Sequence, residues 1–390
     1  MEQIIEGDEE EQKGGLVYVY IDTDQVGEHI ACKTENTSVV QDVFLGNAPS
    51  ALTPWGVTDF LYGETGTTIV GLSNDGKVKI QTNPAVVIPE KGPAGEVICA
   101  LGDGQTMQGI FVYLANDQKN YTPKQVILPE TINKIGKFTF ALNQNLMYEA
   151  DMTSITFPEN LYEIGQAAFQ NSKLTEVLLP DSVTILGEGA FAGSGNLKTV
   201  RLSKNVVDIP KSAFNAGATV DMKLESVVIP EGVKSIGEYA FMGTHVENLT
   251  LPRTLTTISA SAFQNHQLTE VSIPGSVTSI GDYAFRIIQE SLTKGLFTLT
   301  LNEGLVSIGK EAFAGNQLTE VELPSTVVLR TNGNTSDYIF GSNSKPASPI
   351  VVLKVADKGK VDLYNTESVN RISHKVVYDN LVGTGWASKD

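Results

Sequence analysis

Between residues 125 and 325 the apolar and polar positions follow one another in a fixed order. In the stretch 268–285, Leu268, Val271 and Ile273 end in an in-out-in alternation, Pro274 follows, Val277 and Ile280 come next, and Ala284 and Phe285 close the unit. A period of two predicts a short strand with one buried face. Proline ends that strand, because it has no N–H to give a sheet ladder. Val277 and Ile280 are expected to point inward from the next turn, and Gly281 to permit a bend that residues with a Cβ resist. Ala284 and Phe285 are expected to close the coil on a short helical or 3₁₀ turn.

The unit repeats as LTEVLLPDSVTILGEGAFAGS at 174–194, LTEVSIPGSVTSIGDYAF at 268–285 and LTEVELPSTVV at 318–328. Its strand-ending position holds Pro129, Pro158, Pro180, Ser203, Pro230, Pro252, Pro274, Asn302 and Pro324. In eight of these nine units a Phe stands eleven residues on: Phe140, Phe169, Phe191, Phe214, Phe241, Phe263, Phe285 and Phe313. A period near 22 residues predicts a solenoid of stacked coils. One coil cannot bury these side chains alone, so each Phe is covered only when a neighbour stacks on it. Each large side chain buried in this way contributes roughly 1.5–3 kcal/mol, and the contribution recurs with every coil.

These units resemble the leucine-rich repeats of the Bacteroides surface protein A type, found on bacterial surface proteins and in some parasitic protists. The resemblance spans a little over half of the chain. It implies an α/β leucine-rich-repeat solenoid with a parallel sheet on the concave face and short helical or 3₁₀ turns on the convex side. Many members carry a Cys a few residues after the Phe. The corresponding stretch here offers Ser172, Ser194, Thr244, His266 or Asn316, which removes any case for a cysteine ladder.

Outside residues 123–330 the period is lost. Residues 1–15 carry Glu6, Asp8, Glu9, Glu10 and Glu11 and are expected to form a disordered acidic tail. Residues 16–122 are expected to form a separate all-β N-terminal domain, a sandwich or small barrel. Its strand candidates are Leu16–Ile21, Thr67–Leu72, Lys77–Ile80, Ala85–Ile88, Glu96–Ala100 and Gly109–Leu114, with Asn74-Asp75-Gly76 as a turn. Such a domain could cap the first coil or bind a ligand. Residues 331–390 are expected to cap the last coil, with strands near Ile350–Val355 and Lys375–Tyr378.

The formal charge of −17 and pI near 4.7 disfavour nucleic acid and anionic membrane surfaces as partners. No apolar stretch approaches the ~20 residues needed to cross a bilayer. The start is acidic rather than basic and apolar, as a secretory signal peptide would be. Either the protein is cytoplasmic or this is a mature or trimmed chain with an added Met1. The family resemblance favours the second account and an extracellular or cell-surface location, with the signal peptide removed.

Cys32 and Cys99 are the two cysteines, and both a disulfide and two buried thiols remain open. Asp22, Asp24, Gly27 and Glu28 offer part of a calcium loop without its remaining ligands, and a strand-end turn is the ordinary account. The four histidines are scattered; His245 and His266, in comparable loops after the Phe, are expected to face solvent. No nucleophile elbow, phosphate loop or supported carboxylate pair occurs. We therefore expect no catalytic residues, no metal and no cofactor. The sorting-signal fragments at Leu128-Pro129-Glu130-Thr131, Leu251-Pro252-Arg253-Thr254 and Leu323-Pro324-Ser325-Thr326 lack the final Gly and follow from each strand ending in Leu-Pro or Ile-Pro.

What remains is surface. The outward row on the concave sheet is expected to run Ile127, Thr156, Leu178, Arg201, Val228, Thr250, Ser272, Thr300 and Glu322. Leu178, Arg201, Val228, Thr250, Ser272 and Thr300 are the candidate partner-binding residues, since Arg among apolar neighbours is a common hot-spot composition. A solvated sheet with no partner is the plain alternative. Three coils carry extra residues near Asn143–Asp151, Asn215–Lys223 and Arg286–Gly295, which could form binding loops or extra helical turns. The function expected is that of a non-enzymatic, adhesin-like surface protein binding a host or neighbouring-cell protein or extracellular matrix. The alternative is a glycan-binding protein that uses Trp55, Tyr62 and Tyr113 of the N-terminal domain, with the repeats as spacer.

Overall fold

The computed structural model describes residues 54–102, 109–114, 120–141, 151–216, 222, 224–288, 295–327 and 339–340, together with the backbone of five strands: Ile30–Cys32, Gln41–Val43, Val352–Val355, Lys375–Asp379 and Trp386–Ser388. The chain divides into two compact units, residues 1–53 and 54–390. In the first, Ile30–Cys32 pairs antiparallel with Gln41–Val43. The acidic tail, the Leu16–Ile21 strand and the calcium-like fragment lie outside the described residues.

The second unit is the solenoid, and its coils contribute strands to two rows, here called the first and second sheets, each of which hydrogen-bonds in groups of neighbouring strands. Strands of three or four residues form the first, among them Glu176–Leu178, Thr199–Arg201, Ser226–Val228 and Asn248–Thr250 in unbroken order. Glu270–Ile273 pairs with Thr298–Leu301 in the same manner. Two-residue strands form the second: Asp208–Ile209, Ser235–Ile236, Thr257–Ile258, Ser279–Ile280 and Ser307–Ile308 run side by side. Where a proline follows a first-sheet strand it opens a turn in which its carbonyl accepts from the N–H three residues on, as Pro274 does from Val277.

Opposite the first sheet the chain forms hydrogen-bonded turns rather than the helical or 3₁₀ segments expected there. The reason lies two residues before each Phe, where Ala167, Gly189, Ser212, Tyr239, Ser261, Tyr283 and Glu311 all have φ between +50° and +61°. A left-handed residue at that point breaks the right-handed path that a helix would need. It also turns backbone groups along the stack. The N–H of Phe241 donates to the Ala262 carbonyl and that of Phe263 to the Ala284 carbonyl, each at 2.8 Å. Neighbouring coils are thus joined by backbone hydrogen bonds on a third side.

Gly281 has a different role from the bend expected of it. A Cβ there would lie 2.4 Å from the Ala260 nitrogen, and Gly187, Gly237 and Gly309 meet neighbouring backbone at 2.2–2.6 Å in the same way. These glycines let adjacent coils approach; their φ angles are ordinary.

Ten phenylalanine rings stack through the middle. Phe111, Phe140, Phe169, Phe191, Phe214, Phe241, Phe263, Phe285, Phe313 and Phe340 are each no more than 2 % exposed. Successive ring centroids stand 5.0–6.0 Å apart with interplanar angles of 1–23°. Beside the stack runs a buried polar row that satisfies the phenylalanine carbonyls, as buried polar groups require. Thr244 donates to the Phe241 carbonyl, Ser194 to that of Phe169, and Asn316 to those of Phe285 and Phe313. His266 occupies this row, and His245 beside it is also buried, so neither faces solvent as their loop positions suggested. His266 accepts from the Leu268 N–H on Nδ1 at 3.0 Å and therefore carries its proton on Nε2, which donates to the Phe285 carbonyl at 3.1 Å.

The separate domain expected over residues 16–122 does not match the compact units, because residues 54–122 share the solenoid's sheets. Ala85–Val87 pairs in parallel with Gln125–Ile127, and Thr68–Leu72 and Ala100–Leu101 extend the second sheet. Phe111 adds a ring below Phe140. This coil escapes the period in part because residues 91–97 form a bridged excursion after Ile88-Pro89, which adds to the distance between Pro89 and Phe111. Lys77–Ile80, expected as a strand, instead belongs largely to the helix Asn74–Lys79, where the Ser73 hydroxyl caps the Gly76 N–H. Phe60–Tyr62 then pairs antiparallel with Thr68–Leu72 and ends the second sheet. At the other end Val352–Val355 and Lys375–Asp379 continue the first sheet from Glu320–Glu322, and Trp386–Ser388 pairs antiparallel with the last of them.

Candidate interaction surface

The two sheets define what the solenoid can present. In each first-sheet strand the middle residue is buried or partly buried and those beside it point outward, so Val177, Val200 and Val227 enter the core while Leu178, Arg201 and Val228 leave it. Register sets the row. Leu178 lies opposite Arg201, Val228 opposite Thr250, and Ser272 opposite Thr300. All six candidates are exposed. Val228 at 57 % and Leu178 at 37 % are large apolar side chains held in water on either side of Arg201. Single exposed apolar residues are common, but two flanking a cation on a rigid sheet form a preorganised contact set.

Arg201 enters no ion pair among the described residues. Next to it, the Lys204 ammonium hydrogen-bonds Asp181 at 2.6 Å and holds that carboxyl below its ordinary pKa, with Arg201 adding a smaller electrostatic part. Arg201 therefore keeps its charge and its donors for an approaching group.

The residue just before each outward pair is exposed as well, which adds a column that strict alternation did not suggest. It contains Lys124 and Lys198 in the early coils and Glu225 and Glu247 in later ones. With it the face divides sharply. Up to Arg201 it carries Lys124, Glu176, Lys198 and Arg201; from there to Glu322 it carries Glu225, Glu247, Glu270, Glu320 and Glu322 and no cation among the described residues. The signal was present in the residues ahead of each strand, but the alternation rule ends one position too early to use it.

Trp55, Tyr62 and Tyr113 are packed against the core. Lys79 sits 5.5 Å over the Trp55 ring and Phe60 lies 5.5 Å from it. The Tyr62 hydroxyl donates to the Val57 carbonyl, and burial foremost, then Asp59 and Glu96, raises its pKa. Tyr113 stacks on Tyr121. Cys99 is a free thiol near the Thr67 carbonyl. Of the three long stretches Asn143–Asp151, Asn215–Lys223 and Arg286–Gly295, most residues lie outside the described ones, and Ala216, Met222 and Ile287 at their ends are buried. Among the described residues no group of three or more His, Cys, Asp or Glu side chains could hold a metal ion, and no helix is long and apolar enough to cross a membrane.

A repeat solenoid with Ile-Gly and Ala-Phe in register defines the class as leucine-rich repeat. A family model described as BspA type leucine rich repeat region matches residues 141–223 and 218–344 in six copies, and the chain belongs to that family. No curated protein matches it. Among solved structures, a leucine-rich repeat protein from Bacteroides ovatus is similar at 19 % identity and TM-score 0.43, over 83 % of this chain and 99 % of that one. The T. pallidum leucine rich repeat protein is similar at 22 % identity and TM-score 0.41, over 60 % and 87 %. A leucine rich cell surface protein from Faecalibacterium prausnitzii is similar at 17 % identity and TM-score 0.38, over 82 % and 92 %.

Proposed function

We propose that this chain is a non-enzymatic, surface-displayed interaction protein, adhesin-like in role, that holds a protein partner on the outward face of its first sheet. The observation that carries the reading is the Leu178–Arg201–Val228 row: exposed, aligned by strand register, and centred on a guanidinium outside any ion pair among the described residues. A sheet fixed on three sides by hydrogen bonds orders little on binding, so the contact energy goes into affinity. Host protein, matrix and the surface of a neighbouring cell are the partner classes that suit this display.

The test begins by capturing partners from extracellular protein and matrix fractions on the immobilised chain. Arg201→Glu combined with Val228→Asp should then weaken the captured complex by at least ~2 kcal/mol, about thirtyfold, without changing the circular-dichroism spectrum. Full binding by the folded double variant would refute the assignment of this face. A loss confined to Trp55 or Tyr62 variants would favour a glycan ligand near the first coils instead.

A further inference from the structure

The division of charge along the first sheet, together with the rise of the coils, specifies what shape of partner fits. From the Phe241 coil to the Phe340 coil the outward face offers Glu225, Glu247, Glu270, then Thr298 and Thr300, then Glu320 and Glu322, all exposed. The Phe214 coil before them offers Lys198 and Arg201. Glu225, Glu270 and Glu322 enter no ion pair among the described residues, so their charge is not already neutralised there. Two exposed apolar side chains, Val228 at 57 % and Phe297 at 54 %, stand among them.

Spacing narrows the choice of partner. On the outward face the coils repeat at the spacing of paired parallel strands, about 4.7–4.9 Å, while the buried rings from Phe214 to Phe313 stand 5.2–5.4 Å apart. An α-helix advances about 5.4 Å per turn. An extended strand repeats its side chains on one face every ~6.6–6.8 Å and falls out of step after two coils. A helix lying across the strands keeps about one turn over each coil, with a drift of about 2–3 Å over four coils, under half a turn.

We propose that the acidic half of this face takes a basic amphipathic helix laid along the solenoid axis, one turn per coil, its C-terminal end over Lys198 and Arg201. The orientation follows from the helix dipole: a negative C-terminus meets the two cations, and a positive N-terminus meets Glu320 and Glu322. Lysines or arginines at i, i+4, i+7, i+11 and i+14 reach the carboxylates, while an apolar stripe on one flank covers Val228, as in helix-on-surface recognition. Five strand steps of about 4.8 Å span roughly 24 Å, or about 16 helical residues at 1.5 Å each, so an 18-residue helix covers the face. The −17 charge of the chain steers such a ligand toward it. This proposal rests on the assignment of the outward face made above, and adds the class of partner.

Two synthetic 18-residue helical peptides of identical Lys, Leu and Ala composition test it by fluorescence anisotropy against the full chain. One carries its lysines on a single face, the other has them distributed around the helix. The single-face peptide should bind at least tenfold more tightly. Glu225→Lys with Glu270→Lys should remove at least tenfold of that affinity while melting stays unchanged, since both residues are exposed. Equal affinity for the two peptides would mean simple attraction of polycations and would overturn the proposal, as would undetectable binding of the single-face peptide or indifference to the charge reversal. If the proposal fails while Arg201→Glu with Val228→Asp still weakens the captured complex, the face remains the binding site and its partner is not a basic helix.

Discussion

Replacing Phe241 by alanine removes a ring from the middle of the stack. Phe241 is 1 % exposed and lies between Phe214 at 5.3 Å and Phe263 at 5.4 Å, with interplanar angles of 8° and 1°. Truncating a buried Phe costs about 3–5 kcal/mol in lost transfer energy and residual cavity. Each stacked pair adds about 0.5–1.5 kcal/mol beyond area. The site is closed on three sides by coil-to-coil hydrogen bonds and has little room to collapse, so the cost should lie in the upper half of that range. Because a solenoid is held by nearest-neighbour contacts, the defect should also uncouple the coils on its two sides. Urea unfolding detects this when far-UV circular dichroism is compared with Trp55 fluorescence in a Trp386→Phe background, where Trp55 is the sole tryptophan and reports the first coils. The parent should give coincident curves. Phe241→Ala should lower the dichroism midpoint and separate the two. Phe297→Ala, at a 54 % exposed ring, should cost less than about 1 kcal/mol. A Phe241→Ala shift no larger than that of Phe297→Ala would refute the stacked-ring account.

Other residues give further expectations. Burial lowers the pKa of His266 from 6.5 to about 4, so between those values the unfolded chain binds a proton that the folded ring refuses. The associated stability is complete above about pH 6.5 and is lost as the pH falls toward 4, roughly 3 kcal/mol in all; His266→Asn, copying Asn316, should flatten this acid limb in urea titrations, and parallel pH curves would count against it. Gly281→Ala would place a Cβ 2.4 Å from the Ala260 nitrogen and should cost about 3 kcal/mol. Gly189→Ala, at φ +61° with no atom nearer than 3.8 Å to the added Cβ, should cost only about 1–2 kcal/mol, and calorimetric ranking in the opposite order would contradict the close-approach reading.

The repeat was legible because its physics is local. Pro274, Val277, Ile280, Ala284 and Phe285 stand at fixed offsets, and stacking makes the same offsets recur. Phe111 and Phe340 were hidden because more than eleven residues separate each from the proline before it, and a stack position set by neighbours does not require constant spacing along the chain. The left-handed turn could not be read either, since Ala167, Ser212, Tyr239, Ser261, Tyr283 and Glu311 are not glycines. What holds the first five at positive φ is the hydrogen bond from each N–H to the next coil, a tertiary constraint. His266 was misplaced for a related reason: a loop position suggests water, yet these loops lie against one another and bury the residue that caps a carbonyl. The outward row was readable from alternation. Its flanking column of Lys198, Glu225 and Glu247, and with it the change of sign along the face, required the register of the sheet.

The central claim is that the outward face of the first sheet carries binding, and lysine footprinting of the captured complex tests it most directly. Lys198 is exposed on that face, whereas Lys77 and Lys91 lie in the first coils and Lys211 lies at the turns opposite the sheet. Mass spectrometry after brief acetylation, with and without partner, reads each site separately. The account predicts strong protection of Lys198 with Lys77, Lys91 and Lys211 unchanged; protection of Lys77 and Lys91 with Lys198 fully reactive would contradict it.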